Sequence, residues 1–296
     1  MKTYLDCIPC FFKQALDAAR LAKASEKIQK KILISLAEEL EHFSLDSCPP
    51  QMGKFIYNKV REITQEEDPY KKIKEKSNKL ALSFYPKLKE KVRKAKDPLL
   101  FSLELAIAGN IIDYGVKHSL DVDREIDDIL AKEDQAIRNE PRAIFNYPDF
   151  KSKLIEANTI LYLADNAGEI VFDRILIEEI KKKYPDKKII FAVKEKPIIN
   201  DALAEDAYFC GIDKQAKIIS SGSDAPGTIF SFCSKYFLDI FKKSDMVISK
   251  GQGNFESLSK EAARDVFFLF MAKCPVVAKD IDCQLKDIIL YHSQPK

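Results

Sequence analysis

From residue 153 onward, short apolar runs alternate with amphipathic stretches, and that alternation constrains the fold more than any other feature of the chain. Residues 159–164, 188–193, 217–220 and 245–249 are too short for helices and predict strands covered on both faces. Periodic stretches near 170–183, 201–208 and 228–243 predict the helices between them. Strand and helix in regular succession give a mostly parallel sheet with right-handed crossovers. Residues 266–271 and 275–278 are further strand candidates.

The first half follows a different rhythm. Phe11, Ala15, Ala18, Ala19 and Ala22 share one helical face, and Ile28, Ile32, Leu36 and Leu40 share the next. Cys48-Pro49-Pro50 interrupts the chain before a helical stretch around 55–63. Asp68-Pro69 and Asp97-Pro98 each read as a cap followed by a first-turn proline. The first opens a Lys-rich helix to about residue 94. The second opens a helix over 99–116 that is apolar nearly all round and should be buried. An acidic helix near 122–139 and an irregular stretch at 141–150 complete this half. The expected fold is α/β: a helical N-terminal portion, residues 1–152, packed on a Rossmann-like sheet with helices on both faces, residues 153–296.

No apolar run approaches the roughly 18 residues that a membrane span needs. The N-terminal residues lack an apolar signal core, and seven cysteines, an odd number, point to free thiols in a reducing compartment, so the cytoplasm is expected. A net charge of +2 makes no case for nucleic acid or membrane as partner. Nothing in the sequence fixes the oligomeric state. Glycine says more: there are nine in 296 residues, and only Gly53 precedes position 109. A chain so sparing of glycine places it where backbone must turn or approach something closely.

In open α/β sheets, ligands bind beyond the carboxyl ends of the strands. The first predicted strand ends in Asp165-Asn166-Ala167-Gly168-Glu169, and the second runs on to Pro197-Ile198-Ile199-Asn200-Asp201. The third leads into Ser220-Ser221-Gly222-Ser223-Asp224, and the fourth into Lys250-Gly251-Gln252-Gly253-Asn254-Phe255-Glu256. Asp165, Asn166 and Asp201 offer hard oxygen ligands suited to Mg²⁺ or Mn²⁺. Lys250 and the Gly-Gln-Gly backbone offer positive charge and N–H donors suited to phosphate. Carboxylates beside a phosphate repel it unless a cation lies between, so the mixture points to a bridging metal. Only His42, His118 and His292 are present, too few for a His-rich zinc site.

Plainer roles compete for each residue. Asp165 and Asn200-Asp201 are equally good helix caps, and Gly-x-Gly alone is a weak motif with Glu256 where a dinucleotide site has its third glycine. Asn110 and Asp113 share one face of a buried helix, where they either make structural hydrogen bonds or close an active site. Lys273 interrupts an apolar run, and either snorkels to solvent or points at an anion. Cys7-Ile8-Pro9-Cys10 leads straight into a helix rather than following a strand, which weakens a redox reading and leaves a structural, metal or sensor role open.

Together the Asp-Asn-Ala-Gly-Glu, Pro-Ile-Ile-Asn-Asp and Lys-Gly-Gln-Gly-Asn-Phe-Glu segments resemble the family long called domain of unknown function 89. The Gly109-Asn110-Ile111-Ile112-Asp113 stretch and the N-terminal CxxC resemble its prokaryotic branch, and the resemblance covers nearly the whole chain. It implies a damage-control phosphatase that uses Mn, Co, Ni or Mg to hydrolyse phosphomonoesters of small phosphorylated metabolites or sugars. By the same resemblance, Asp165, Asn166 and Asp201 hold the metal, and Asp165, Asn166, Asp201 and Lys250 are catalytic. Asn110, Glu169, Lys250, Gly251, Gly253, Asn254 and Lys273 bind the phosphate or the sugar. A carboxyl methyltransferase using S-adenosylmethionine and a non-catalytic metal or phosphometabolite binder are the alternatives.

Overall fold

The computed structural model describes residues 1–109 and 144–294. Helices α1 (Cys7–Leu21), α2 (Glu26–His42), α3 (Pro49–Thr64), α4 (Lys71–Lys94) and α5 (Pro98–Ala108) come first. There follow α6 (Tyr147–Glu156), β1 (Thr159–Leu163), α7 (Glu169–Lys183), β2 (Lys188–Val193), α8 (Ala204–Phe209) and β3 (Lys217–Ser220). The chain continues through α9 (Lys235–Lys243), β4 (Met246–Lys250), α10 (Gln252–Leu258), β5 (Val266–Met271), α11 (Pro275–Asp280) and β6 (Ile288–Ser293). The sheet order is β3-β2-β1-β4-β5-β6, parallel throughout except for β6, which runs antiparallel to β5.

Side-chain alternation along the strands builds the two faces. Ile160 and Tyr162 of β1, Ile189 and Phe191 of β2, and Met246 and Ile248 of β4 pack against α4, α5 and α7. Leu161 and Leu163, with Val247, Phe268 and Phe270, pack against Phe237 and Phe241 of α9 and Phe255 of α10. Helices α1 to α3 enclose a third core of Phe11, Ala15, Ile32, Met52, Ile56 and Val60, into which Ile198 of the post-β2 loop is inserted.

Four local expectations change. Residues 275–278 form a helix, because Pro275 at the first helical position has the φ of a helix and no N–H for a ladder. Strand β6 has no counterpart in the sequence reading. Helix α4 opens at Lys71, two residues after Pro69, because Asp68 accepts from Tyr70 N at 3.1 Å and pairs with Lys74 at 2.8 Å. The stretch expected to be one helix over 228–243 is a short turn at Phe230–Phe232 and then α9, capped by Ser234. Asp97 caps α5 as expected, accepting from Leu100 N at 3.2 Å, and the helix is buried from Ser102 to Ala108. The described residues stop at 109, so Asn110, Asp113 and the acidic helix expected near 122–139 lie outside them.

Candidate active site at the switch point of the sheet

Strand β1 leads to β2 on one side, while β4 lies on its other side and leads away to β5. Loops diverging from the carboxyl ends of two such neighbours leave a crevice between them. Asp165 and Asn166 follow β1, and Lys250 and Gly251 close β4. Gly251 has φ 81° and ψ 158°, and a Cβ built on it would stand 2.0 Å from Asp165 Oδ2. The Asp165 carboxylate therefore lies on bare backbone, which only glycine allows.

Asp201 is brought to the same place by main-chain bonds. Ala167 N donates to Asn200 O at 2.9 Å and Ala202 N to Asp165 O at 2.8 Å, so Asn166 and Asp201 form an antiparallel bridge. The Asn166 amide donates to Asp165 Oδ2 at 2.7 Å and to Glu169 Oε2 at 3.1 Å. Burial, reinforced by the carboxylates of Glu169 and Asp201, holds Asp165 well above the usual carboxylate range, while Lys250 and Lys273 oppose the shift. Lys194, which follows β2, is buried with its ammonium 3.5 Å from Asp201 Oδ2 and on the Gly227 carbonyl.

Among the described residues no three His, Cys, Asp or Glu side chains gather as metal ligands. The oxygen set here is two carboxylates and one carboxamide. It suits a hard divalent cation whose remaining positions go to water and substrate. The crowding of Asp165, Glu169 and Asp201 favours a positive charge between them. The residues present fit such an ion.

Two sequence-based assignments change in this setting. Lys250 is fully buried, and its ammonium donates to Ala106 O at 2.6 Å, Glu169 Oε1 at 2.7 Å and Asp173 Oδ1 at 2.6 Å. An ammonium has three donors, so all are spent inside the protein and none faces a phosphate. Asn254 is likewise buried: its amide donates to Lys250 O at 2.7 Å and Ala164 O at 3.1 Å, and its oxygen accepts from Thr228 at 2.7 Å. It ties α10 to β1 and the 221–228 loop. Gly253 packs against that loop too, since a Cβ on Gly227 would meet Gly253 O at 2.3 Å. Glu169 is buried between Asn166 and Lys250. Lys273 lies at the rim, its N–H donating to Gln252 Oε1 at 3.2 Å and its charge reaching Asp165.

The helical half supplies partners that sequence reasoning did not single out. Asn78 of α4 accepts from Gly168 N at 2.7 Å and donates to Asp206 Oδ1 at 2.7 Å. Arg61 of α3 donates to Pro197 O at 2.7 Å, and Lys54 pairs with Asp224. Asp173 is the other omission. Burial raises its acid to about 6 against the pull of Lys250, and Tyr162 donates to it at 2.8 Å. Its position four residues after Glu169, on one helix face, was a readable signal.

Fold and rim together define a Rossmann-like α/β protein with an acidic, oxygen-lined crevice roofed by helices. The chain belongs to the damage-control phosphatase ARMT1-like domain family, whose model matches residues 3–289. It is 39% identical to an uncharacterized protein of Methanocaldococcus jannaschii, over 96% of this chain and 93% of that one. A protein of Pyrococcus horikoshii named as a damage-control phosphatase is 33% identical, over 95% of this chain and 94% of its own. The crystal structure of a DUF89 family protein from the same organism superposes with a TM-score of 0.87 at 30% identity, covering 99% of this chain and 100% of that one. No helix among the described residues is long and apolar enough to cross a membrane.

Proposed function

We propose that the protein is a metal-dependent phosphatase that hydrolyses phosphomonoesters of small phosphorylated metabolites or sugars, in the cytoplasm, with neither nucleic acid nor membrane as partner. The observation that carries the reading is the meeting of Asp165, Asn166 and Asp201 at the switch point, with Lys194 and Lys273 nearby. Relatives named as damage-control phosphatases support the reaction class.

Asp165, the Asn166 amide oxygen and Asp201 would hold a divalent cation, with Mg, Mn, Co and Ni as the candidates. When bound, it supplies polarisation of the phosphoryl oxygens and acidity to water. Lys273 offsets charge that develops on the phosphoryl group. Glu169, clamped between Lys250 and Asn166, fixes the orientation of the Asn166 amide. Lys194 holds the Asp201 carboxylate in place. Water attacks phosphorus, the P–O bond to the alcohol breaks, and the alcohol leaves with a proton.

The test is a panel of phosphate esters with each of the four metals, with and without chelator. Turnover should require metal. Asp165→Ala and Asp201→Ala should lose both Mn²⁺ binding and hydrolysis. Full activity in both variants would overturn the site.

A further inference from the structure

Five non-glycine residues among those described have positive φ: Lys23, Gln65, Ile199, Asp282 and Lys286. Ile199, at φ 45°, is the only β-branched one. A β-branched side chain in the left-handed region crowds its own carbonyl, so a chain keeps it there only when the surroundings leave no alternative. Ile199 stands two residues before Asp201.

Both flanks of Ile199 are fixed. On one side Arg61 of α3 donates to Pro197 O at 2.7 Å, and Ile198 is 2% exposed within the core of α1 to α3. On the other, Ala167 N donates to Asn200 O at 2.9 Å and Ala202 N to Asp165 O at 2.8 Å. Between these anchors the chain must reverse within a few residues, and Asp201 N closes the turn on Ile198 O at 3.0 Å. The left-handed step at Ile199 makes the reversal.

We infer that Ile199 is a positioning residue: its left-handed backbone, latched to the helical roof by Ile198 and Arg61, presets the Asp201 carboxylate beside Asp165 and Asn166. The inference rests on the metal-site reading above. A preset ligand spares the cation the ordering of the loop, and that saving appears as affinity. The roof of α1 to α3 thus acts on the site through one turn, without touching substrate.

Mn²⁺ titration of the full-length protein, followed by the electron paramagnetic resonance of the free ion, tests this, with thermal unfolding measured on the same samples. Ile199→Gly removes the crowding and admits many other backbone angles, so its Kd for Mn²⁺ should rise about fivefold. Ile199→Asn tolerates the left-handed conformation and should bind within about twofold of the unaltered protein. Both should unfold within a few degrees of the parent. Equal affinity of parent and Ile199→Gly overturns the inference. Equal weakening of both variants overturns it too, because the side chain rather than the backbone is then responsible. So does a loss of affinity in Ile199→Gly accompanied by a large fall in unfolding temperature, which assigns Ile199 to general stability. An unaltered protein that binds no Mn²⁺ refutes the metal site itself, and the inference with it.

Discussion

The Asp165 carboxylate rests on the α-carbon of Gly251, so closely that a Cβ there would stand 2.0 Å from Oδ2 and 2.2 Å from Cγ. The first glycine of the fourth rim segment is thus part of the wall of the acidic centre. At φ 81° and ψ 158°, Gly251 also occupies backbone that side chains scarcely visit. Gly251→Ala must expel the carboxylate or move β4. It should cost about 1–3 kcal/mol of stability from strain alone. Mn²⁺ affinity should fall by at least about tenfold, since Asp165 no longer faces Asp201. Denaturant titration and metal titration of one preparation check both.

Lys250 answers to two carboxylates in a dry environment, and its role is separable from phosphate binding by stability. Lys250→Met leaves Glu169 and Asp173 buried without their cation, which should cost about 3–5 kcal/mol. Adding Asp173→Asn removes one of the stranded charges and should restore part of that loss. A phosphate ligand would behave otherwise: the single variant would keep its unfolding midpoint and lose only turnover.

The contrast between Lys250 and the strands shows what the sequence discloses. Parallel strands buried on both faces read as continuous apolar runs, so β1 to β5 were visible in residues such as Ile160, Phe191 and Val247, and the rim followed from their ends. Strand β6 was not, because His292 and Tyr291 at a half-buried antiparallel edge break the apolar run. Asp165, Asn166 and Asp201 were chosen by chemistry and topology. Glu169 and Asp173 share a helix face by spacing, but their pairing with Lys250 spans 81 and 77 residues, beyond any local pattern. Asn78, 90 residues from Gly168, was missed for the same reason.

That Asn78 bond makes the hold of α4 on the loop after β1 measurable. Asn78→Ala leaves the buried Gly168 N–H without its described acceptor and removes one donor from the Asp206 carboxylate, which keeps Leu203 N, and should cost about 1–3 kcal/mol. The urea midpoint should fall accordingly. Amide exchange at Gly168 should accelerate beyond the global change, because its only described acceptor is gone. Exchange there that merely tracks global unfolding would show that α4 does not hold the loop.

Glu256 provides the pH dependence. Burial raises its acid to about 7, against the hydrogen bond from Gln252 and the charge of the Met1 ammonium, both of which favour ionisation. In the unfolded chain the same carboxyl titrates near 4.5. Between those values the native state keeps a proton that the unfolded state releases, so stability falls as pH rises through the interval and levels off above it. Glu256→Gln preserves an oxygen acceptor for Gln252 and cannot ionise. Its unfolding temperature, relative to the parent, should therefore climb between pH 5 and pH 8. The side chain is only half-buried, so the change should be near 1 kcal/mol, or about 2–4 °C for a chain of this size. A gap between parent and variant that stays constant from pH 5 to pH 8 would mean that Glu256 ionises as an ordinary surface carboxylate, with α10 packing around a charge rather than a proton.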